Sequence, residues 1–167
     1  MNTAAGKEIF VQLIQENKGI VYKICNSYCA NKDDRDDLAQ EIVYNLWKSF
    51  HSYNPGFKFS TWMYRIALNV AISFYRKEKK SKSHIPFSEN LIVFEETTDA
   101  STEAENNLRL LLKFISELKE IDKSIMLLYL DDKSYKEIAE ITGITESNTA
   151  TKINRIKDKL KSDFLTL

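Results

Sequence analysis

At 167 residues, 43% hydrophobic and 29% charged, the chain has room for one ordinary domain or two small ones and enough apolar residues for a real core, which excludes a disordered protein. Four glycines and two prolines between long runs rich in Lys, Glu, Leu and Ile exclude the many tight turns of an all-β fold, so an all-α protein is predicted. The 24 basic and 24 acidic side chains cancel, and this excludes the positive excess of a strong freestanding DNA binder.

Taken in chain order, the first apolar periodicities are Ile9, Phe10, Leu13, Ile14 and then Ile20, Val21, Ile24, Cys25, Tyr28. They predict two amphipathic helices folded as a hairpin around Asn17-Lys18-Gly19. Four aspartates among residues 33–37 open a third helix, where negative charge suits the N-terminal dipole, and Leu38, Ile42, Leu46, Trp47 and Phe50 trace its inner face as far as Ser52. Asn54-Pro55-Gly56 is a turn signal. Beyond it Phe59, Trp62, Met63, Ile66, Val70 and Phe74 predict a fourth helix that ends in a basic run.

Residues 81–103 carry Pro86, several Ser and Thr, and acids around a short apolar piece at Leu91–Phe94, and are expected to form a flexible acidic linker. It separates domains at 1–80 and 104–167. In the second domain, Leu108, Leu111, Leu112, Ile115 and Leu118 predict one helix, and Ile125, Leu127, Leu128 and Leu130 another. Ser134 caps a third, which holds Ile138 and Ala139 and breaks at Thr142-Gly143. A last helix is expected from Thr145 to about Ser162, with Thr149, Ile153, Ile156 and Leu160 turned inward.

The charges that cancel overall are unevenly placed. Arg76–Lys82 holds five basic residues against Glu78, Lys152–Lys161 holds five against Asp158, and Ser83–Asn107 holds six acids and no Lys or Arg. A chain of this kind binds DNA weakly alone, because few phosphates are neutralised, and needs a partner to supply affinity. No apolar stretch is long enough to cross a bilayer, and Lys7 and Glu8 interrupt any signal-peptide layout, so a cytoplasmic location without membrane insertion is expected. Cys25 and Cys29 share a helix face, with neither His51 nor His84 close enough in sequence to complete a metal set; they are read as buried thiols, and no metal, cofactor or catalytic residue is predicted.

The sharpest local motif is Tyr135-Lys136-Glu137-Ile138-Ala139-Glu140-Ile141-Thr142-Gly143-Ile144-Thr145. Ala139 is small where two helices must cross closely, Gly143 can take the positive φ of a tight turn, and Ile144 fills the space between, which together make a helix-turn-helix. A plain helical hairpin within a bundle fits the same residues. If the last helix enters a major groove, Ser147, Asn148, Thr151, Asn154 and Arg155 face the bases, and Lys152, Lys157 and Lys159 reach for phosphates, with Asp158 as a counter-indication.

Two strings of the N-terminal half, Asp34-Arg35-Asp36-Asp37-Leu38-Ala39-Gln40-Glu41 and Phe59-Ser60-Thr61-Trp62-Met63-Tyr64-Arg65-Ile66-Ala67-Leu68-Asn69, resemble at this separation subregions two to four of region 2 of extracytoplasmic-function sigma factors. Leu118–Leu160 resembles their region 4. The resemblance implies a small two-domain sigma factor, with a four-helix region 2 domain, a linker and a region 4 helix-turn-helix. It further implies that Asp34, Asp37, Gln40 and Glu41 dock on the clamp helices of the largest subunit of core RNA polymerase. The loop Tyr53–Lys58 and the fourth helix would capture the melted minus-ten strand of promoter DNA, with Asn69 resembling the family's base-contacting asparagine. Region 4 would hold the minus-thirty-five element and the flap of the second-largest subunit. The acidic linker resembles the one that threads the polymerase channel, and an anti-sigma factor is an expected partner of the free chain.

The minus-ten candidates Phe57, Lys58, Tyr64, Arg65, Asn69, Arg76 and Lys77 suit that role chemically, since a flipped base needs a flat surface, a polar reader and phosphate neutralisation. Phe59, Trp62 and Ile66 are read as core, with Tyr64, Arg65 and Asn69 off that face; the lysines also fit a merely solvated face. Ala150 and Thr151 depart from the family pattern, which leaves the promoter sequence open. The rival reading is a freestanding helix-turn-helix repressor whose N-terminal bundle binds a ligand or dimerises.

Overall fold

The structure is a computed structural model that describes residues 4–81 and 102–167. Its described residues fall into two compact units, one on each side of the undescribed segment. Residues 82–101, which make up nearly all of the expected linker, lie outside the described residues. Every regular element among the described residues is helical, as composition predicts.

In the first unit, α1 (Ala4–Glu16) and α2 (Lys18–Tyr28) do not form the expected hairpin. Only Asn17 separates them, at φ −114° and ψ 15°, and its N–H still donates to the carbonyls of Leu13 and Ile14 at 3.2 Å. The chain bends there without reversing. Lys18 and Gly19 lie inside α2, so a glycine that looks like a break in sequence is simply tolerated in a helix whose other contacts hold it. α1 is tied down through Phe10, whose ring meets Trp47 at 5.0 Å and Phe50 at 5.2 Å.

α3 (Lys32–Ser49) begins at Asn31, whose Oδ1 accepts the N–H of Asp34 at 2.8 Å. The cap satisfies an orphan donor, and Asp33 and Asp34 complement the positive end of the helix. Leu38, Ile42 and Leu46 are fully buried. After a 3-10 turn at Phe50–Ser52 and the Asn54-Pro55-Gly56 loop comes α4 (Phe59–Ser81). α2, α3 and α4 pack against one another. The buried line of α4 is Met63, Tyr64, Ala67, Leu68, Ala71 and Ile72, whereas Trp62, Ile66, Val70 and Phe74 are only half-buried. The expected face was therefore rotated: the alanines let neighbouring helices approach closely, and the larger side chains flank that crossing.

The second unit comprises α5 (Glu103–Ser116), α6 (Glu120–Leu130), α7 (Tyr135–Thr142) and α8 (Glu146–Leu165). Capping boxes start α5 at Thr102 with Glu105 and α7 at Ser134 with Glu137, each satisfying two orphan N–H groups. The α6–α7 turn places Asp132 at φ 57°, with Lys133 N–H donating to Leu128 and Asp132 N–H to Tyr129, a left-handed helix end of the Schellman type. Gly143 closes α7 at φ 77°, where a side chain would be strained. Thr145 caps α8 through the N–H of Asn148 at 3.1 Å. Thr149, Ile153, Ile156 and Leu160 of α8 are buried, as are Ile125 and Leu128 of α6 and Ile138 of α7. Phe164 extends α8 past the expected end at Ser162, meeting Phe114 of α5 at 5.1 Å.

Candidate nucleic-acid and partner surfaces

In the first unit the loop before α4 is held from several sides. Tyr53 Oη donates to the Phe57 carbonyl at 2.8 Å, Gly56 N–H donates to Asn54 Oδ1 at 2.9 Å, and Phe57 N–H donates to the Asn54 carbonyl at 3.0 Å. Phe57 itself stands out at 70% exposure, next to exposed Lys58. From there Arg65, Asn69, Arg76 and Lys77 are exposed at helical spacing along one side of α4. Phe57, Lys58 and this stripe together present one aromatic ring, one amide and four cations. Such a surface suits a single strand, because bases stack on rings and phosphates need cations.

Tyr64 does not belong to it. The side chain is 1% exposed among the largest buried groups of the unit, so the expectation that it lies off the apolar face is corrected. The cause is the rotation of the buried line toward Ala67 and Ala71, which brings the position after Met63 into the core. Phe59 is buried at 7%, in keeping with a core role, while Trp62 and Ile66 are half-buried.

On α3, Asp37, Gln40 and Glu41 are exposed one turn apart. Asp34 is half-buried, and its Oδ2 accepts from Asn31 Nδ2 at 2.6 Å, so that carboxylate is engaged at the helix start. Sequence reasoning missed Tyr44, which is 63% exposed on the same stripe, three residues beyond Glu41. Helical spacing could have found it, since it lies opposite the Leu38–Ile42–Leu46 line.

In the second unit, Ser147, Asn148, Thr151, Asn154 and Arg155 are all exposed on α8, opposite its buried line. Thr151 Oγ1 donates to the Ser147 carbonyl at 3.1 Å. The lysines are placed differently from the expectation. Lys152 Nζ lies 3.2 Å from Asp122 Oδ1 on α6, with both side chains partly buried. Lys157 Nζ donates to Tyr129 Oη at 2.6 Å and sits 4.3 Å from the centre of that ring. The Tyr129 hydroxyl bond raises the Lys157 pKa, because it favours the charged ammonium. Lys159 pairs with Asp163 at 2.8 Å. Three cations read from sequence as phosphate contacts are thus held by partners of their own, two of them across the α6–α8 contact.

Cys25 and Cys29 are both buried, and burial pushes each thiol up to about 12, because the thiolate is disfavoured away from water. His51 Nδ1 lies 3.0 Å from the Lys48 carbonyl. Among the described residues no group of three or more His, Cys, Asp or Glu is arranged around a common metal position, and no helix is long and apolar enough to cross a membrane.

Residues 13–81 match the family model of sigma-70 region 2, and residues 108–160 that of sigma-70 region 4. A similar curated protein is the ECF RNA polymerase sigma factor SigW of Bacillus subtilis, 26% identical over 171 residues that cover 96% of this chain and 91% of the relative. Among solved structures, CnrH in complex with the cytosolic domain of CnrY matches with a TM-score of 0.68 at 19% identity, over 96% of this chain and 90% of that one. The sigma factor RpoE in complex with the anti-sigma factor NepR from Bartonella quintana matches with a TM-score of 0.66 at 16% identity, over 96% of each chain. At those identities the two structures speak for the fold.

Proposed function

Since the chain belongs to the sigma-70 family, as a small two-domain sigma factor of the extracytoplasmic-function type that directs promoter-specific transcription initiation, we propose how its exposed surfaces divide that work. The observation that carries the reading is the pre-shaped loop with Phe57 exposed at the head of the α4 stripe, inside the region 2 match. Phe57, Lys58, Arg65, Asn69, Arg76 and Lys77 take the melted minus-ten strand. The ring accepts a base face, Asn69 reads an edge, and the cations lie along the phosphates. Tyr64 has no part in this surface.

The α8 face of Ser147, Asn148, Thr151, Asn154 and Arg155 enters the major groove of the minus-thirty-five element, and Lys152 serves the fold there. Asp37, Gln40 and Glu41, joined by Tyr44, dock on the clamp helices of core polymerase, and the second domain also meets its flap. We assign residues 1–80 to the first domain, 81–103 to the linker and 104–167 to the second. Two weak DNA contacts held at fixed spacing by polymerase become one specific contact through effective concentration, which reconciles DNA recognition with zero net charge. Sigma factors as a family are not enzymes, and this chain is read as non-catalytic, acting in the cytoplasm beside polymerase. An anti-sigma factor, the kind of partner seen with RpoE of Bartonella quintana, would cover the same surfaces in the free state. The repressor reading finds no support, because residues 13–81 match a polymerase-associated region.

The test is run-off transcription from a pool of upstream DNA fragments, with bacterial core polymerase alone or with the chain. Start sites that depend on the chain support the reading. Tight DNA binding by the chain alone, without new transcripts, would overturn it.

A further inference from the structure

The ring of Tyr53 is gripped by aromatic neighbours: Phe59 and Trp62 of α4 lie 5.2 Å away, and Phe50 stacks at 6.0 Å. Phe50 in turn meets Phe10 of α1, so the packing runs from α1 through the end of α3 to the head of α4. From this seat the Tyr53 hydroxyl reaches out of the cluster to the Phe57 carbonyl at 2.8 Å. The Phe57 N–H is turned back to the Asn54 carbonyl at 3.0 Å. Both of its backbone polar groups are thus engaged within the loop, while the Phe57 side chain stands at 70% exposure. The cluster itself leaves this ring out, although it already gathers most of the aromatic side chains nearby.

We propose that Tyr53 is a positioning residue for strand capture: its hydroxyl sets the backbone of the loop so that Phe57 is presented to a melted base. The proposal rests on the assignment of this loop to the minus-ten strand. A loop held in its working shape before the strand arrives loses little conformational freedom on binding, and that saved cost appears as tighter capture. Without the hydroxyl the same ring still fills the aromatic cluster, but the 53–57 closure is lost and Phe57 samples other directions.

Tyr53→Phe removes one oxygen and keeps the packing. With holoenzyme assembled from core polymerase and the full chain, the probe is a fluorescent single-stranded oligonucleotide carrying the nontemplate minus-ten sequence of a promoter identified by run-off. Tyr53→Phe is expected to weaken capture about three- to tenfold, the range of one lost hydrogen bond, with affinity for core polymerase unchanged and the thermal midpoint lowered by no more than a few degrees. Phe57→Ala is expected to weaken it at least as much, and the double variant no further than Phe57→Ala alone, because Tyr53 acts only through Phe57. Capture by Tyr53→Phe equal to wild type overturns the proposal, as do losses that multiply in the double variant. If wild-type holoenzyme captures no strand at all, the assignment of the loop fails and takes the proposal with it. Wild-type capture that is indifferent to Tyr53→Phe defeats the positioning role alone.

Discussion

Removing an acid from α6 should strengthen the grip of α8 on DNA. Lys152 is held 3.2 Å from Asp122, and the two side chains retain 33% and 25% of their exposure, so the pair is neither deeply buried nor freely solvated. A pair so placed contributes about 0.5–1 kcal/mol to stability, after solvent screening and the entropy of holding a long side chain. Asp122→Ala frees the ammonium, and a lysine able to reach one more phosphate steepens the slope of log affinity against log salt by about 0.9. Between 50 and 200 mM salt, one such contact is worth about a 3.5-fold change in affinity. The assay is binding of holoenzyme to promoter DNA across that salt range, with thermal unfolding of the free chain alongside. Asp122→Ala is expected to lower the melting point of the second domain by about 3–6 °C while steepening the salt slope, and Lys152→Ala to lower the melting point equally with the slope unchanged. Arg155→Ala, on the exposed face assigned to the bases, should weaken promoter binding by about 1–3 kcal/mol and relax the sequence preference at the minus-thirty-five element, with no thermal effect. A slope that falls for Lys152→Ala and stays level for Asp122→Ala would show that the lysine serves DNA after all, and refute the reasoning from the ion pair.

Four further outcomes follow from the structure. Asp37→Lys with Glu41→Lys, both on the exposed stripe of α3, should weaken retention by core polymerase in a pull-down by about tenfold or more with the helical spectrum unchanged; full retention would remove the docking assignment. Cys25 and Cys29 should react with a thiol reagent at pH 8 about a hundredfold more slowly in the folded chain than in denaturant, since burial disfavours the thiolate. Because folding raises those thiols from 9.0 to about 12, the folded state holds its protons more tightly; this contribution to stability is complete below pH 9 and falls as pH climbs toward 12, which denaturant titrations along that range would detect. Asp132→Gly, at φ 57°, should stabilise the second domain by about 0.5–1 kcal/mol, read as a rise in its melting point, because glycine occupies the left-handed region without strain.

What the sequence determined by itself was whatever depends on local chemistry and on a period. Ser134, Thr145 and Gly143 act within four residues of themselves, so the helix-turn-helix and the places where its helices begin and end were legible before any packing was known. Thr149, Ile153, Ile156 and Leu160 repeat at helical spacing, which separates the inner side of α8 from Ser147, Asn148, Thr151, Asn154 and Arg155 without reference to another helix. The acidic opening of α3 was equally plain, although its cap, Asn31, lies just outside the aspartate cluster.

Tertiary structure decided whatever depends on which neighbour a side chain meets. Large apolar residues marked α4 as a helix but misplaced its core line, since close packing of three helices favours Ala67 and Ala71 at the crossing and draws Tyr64 inside with them. Nothing local reveals that Lys152 meets Asp122 and Lys157 meets Tyr129, partners some thirty residues earlier in the chain and adjacent only once α6 lies on α8. Asn17 bends the chain where a hairpin was expected, because a residue whose N–H still reaches two preceding carbonyls continues the helix direction more than it reverses it. Hydrophobic spacing specifies that a face exists; only contact between helices selects the residues at its centre and the charges that are occupied before DNA arrives.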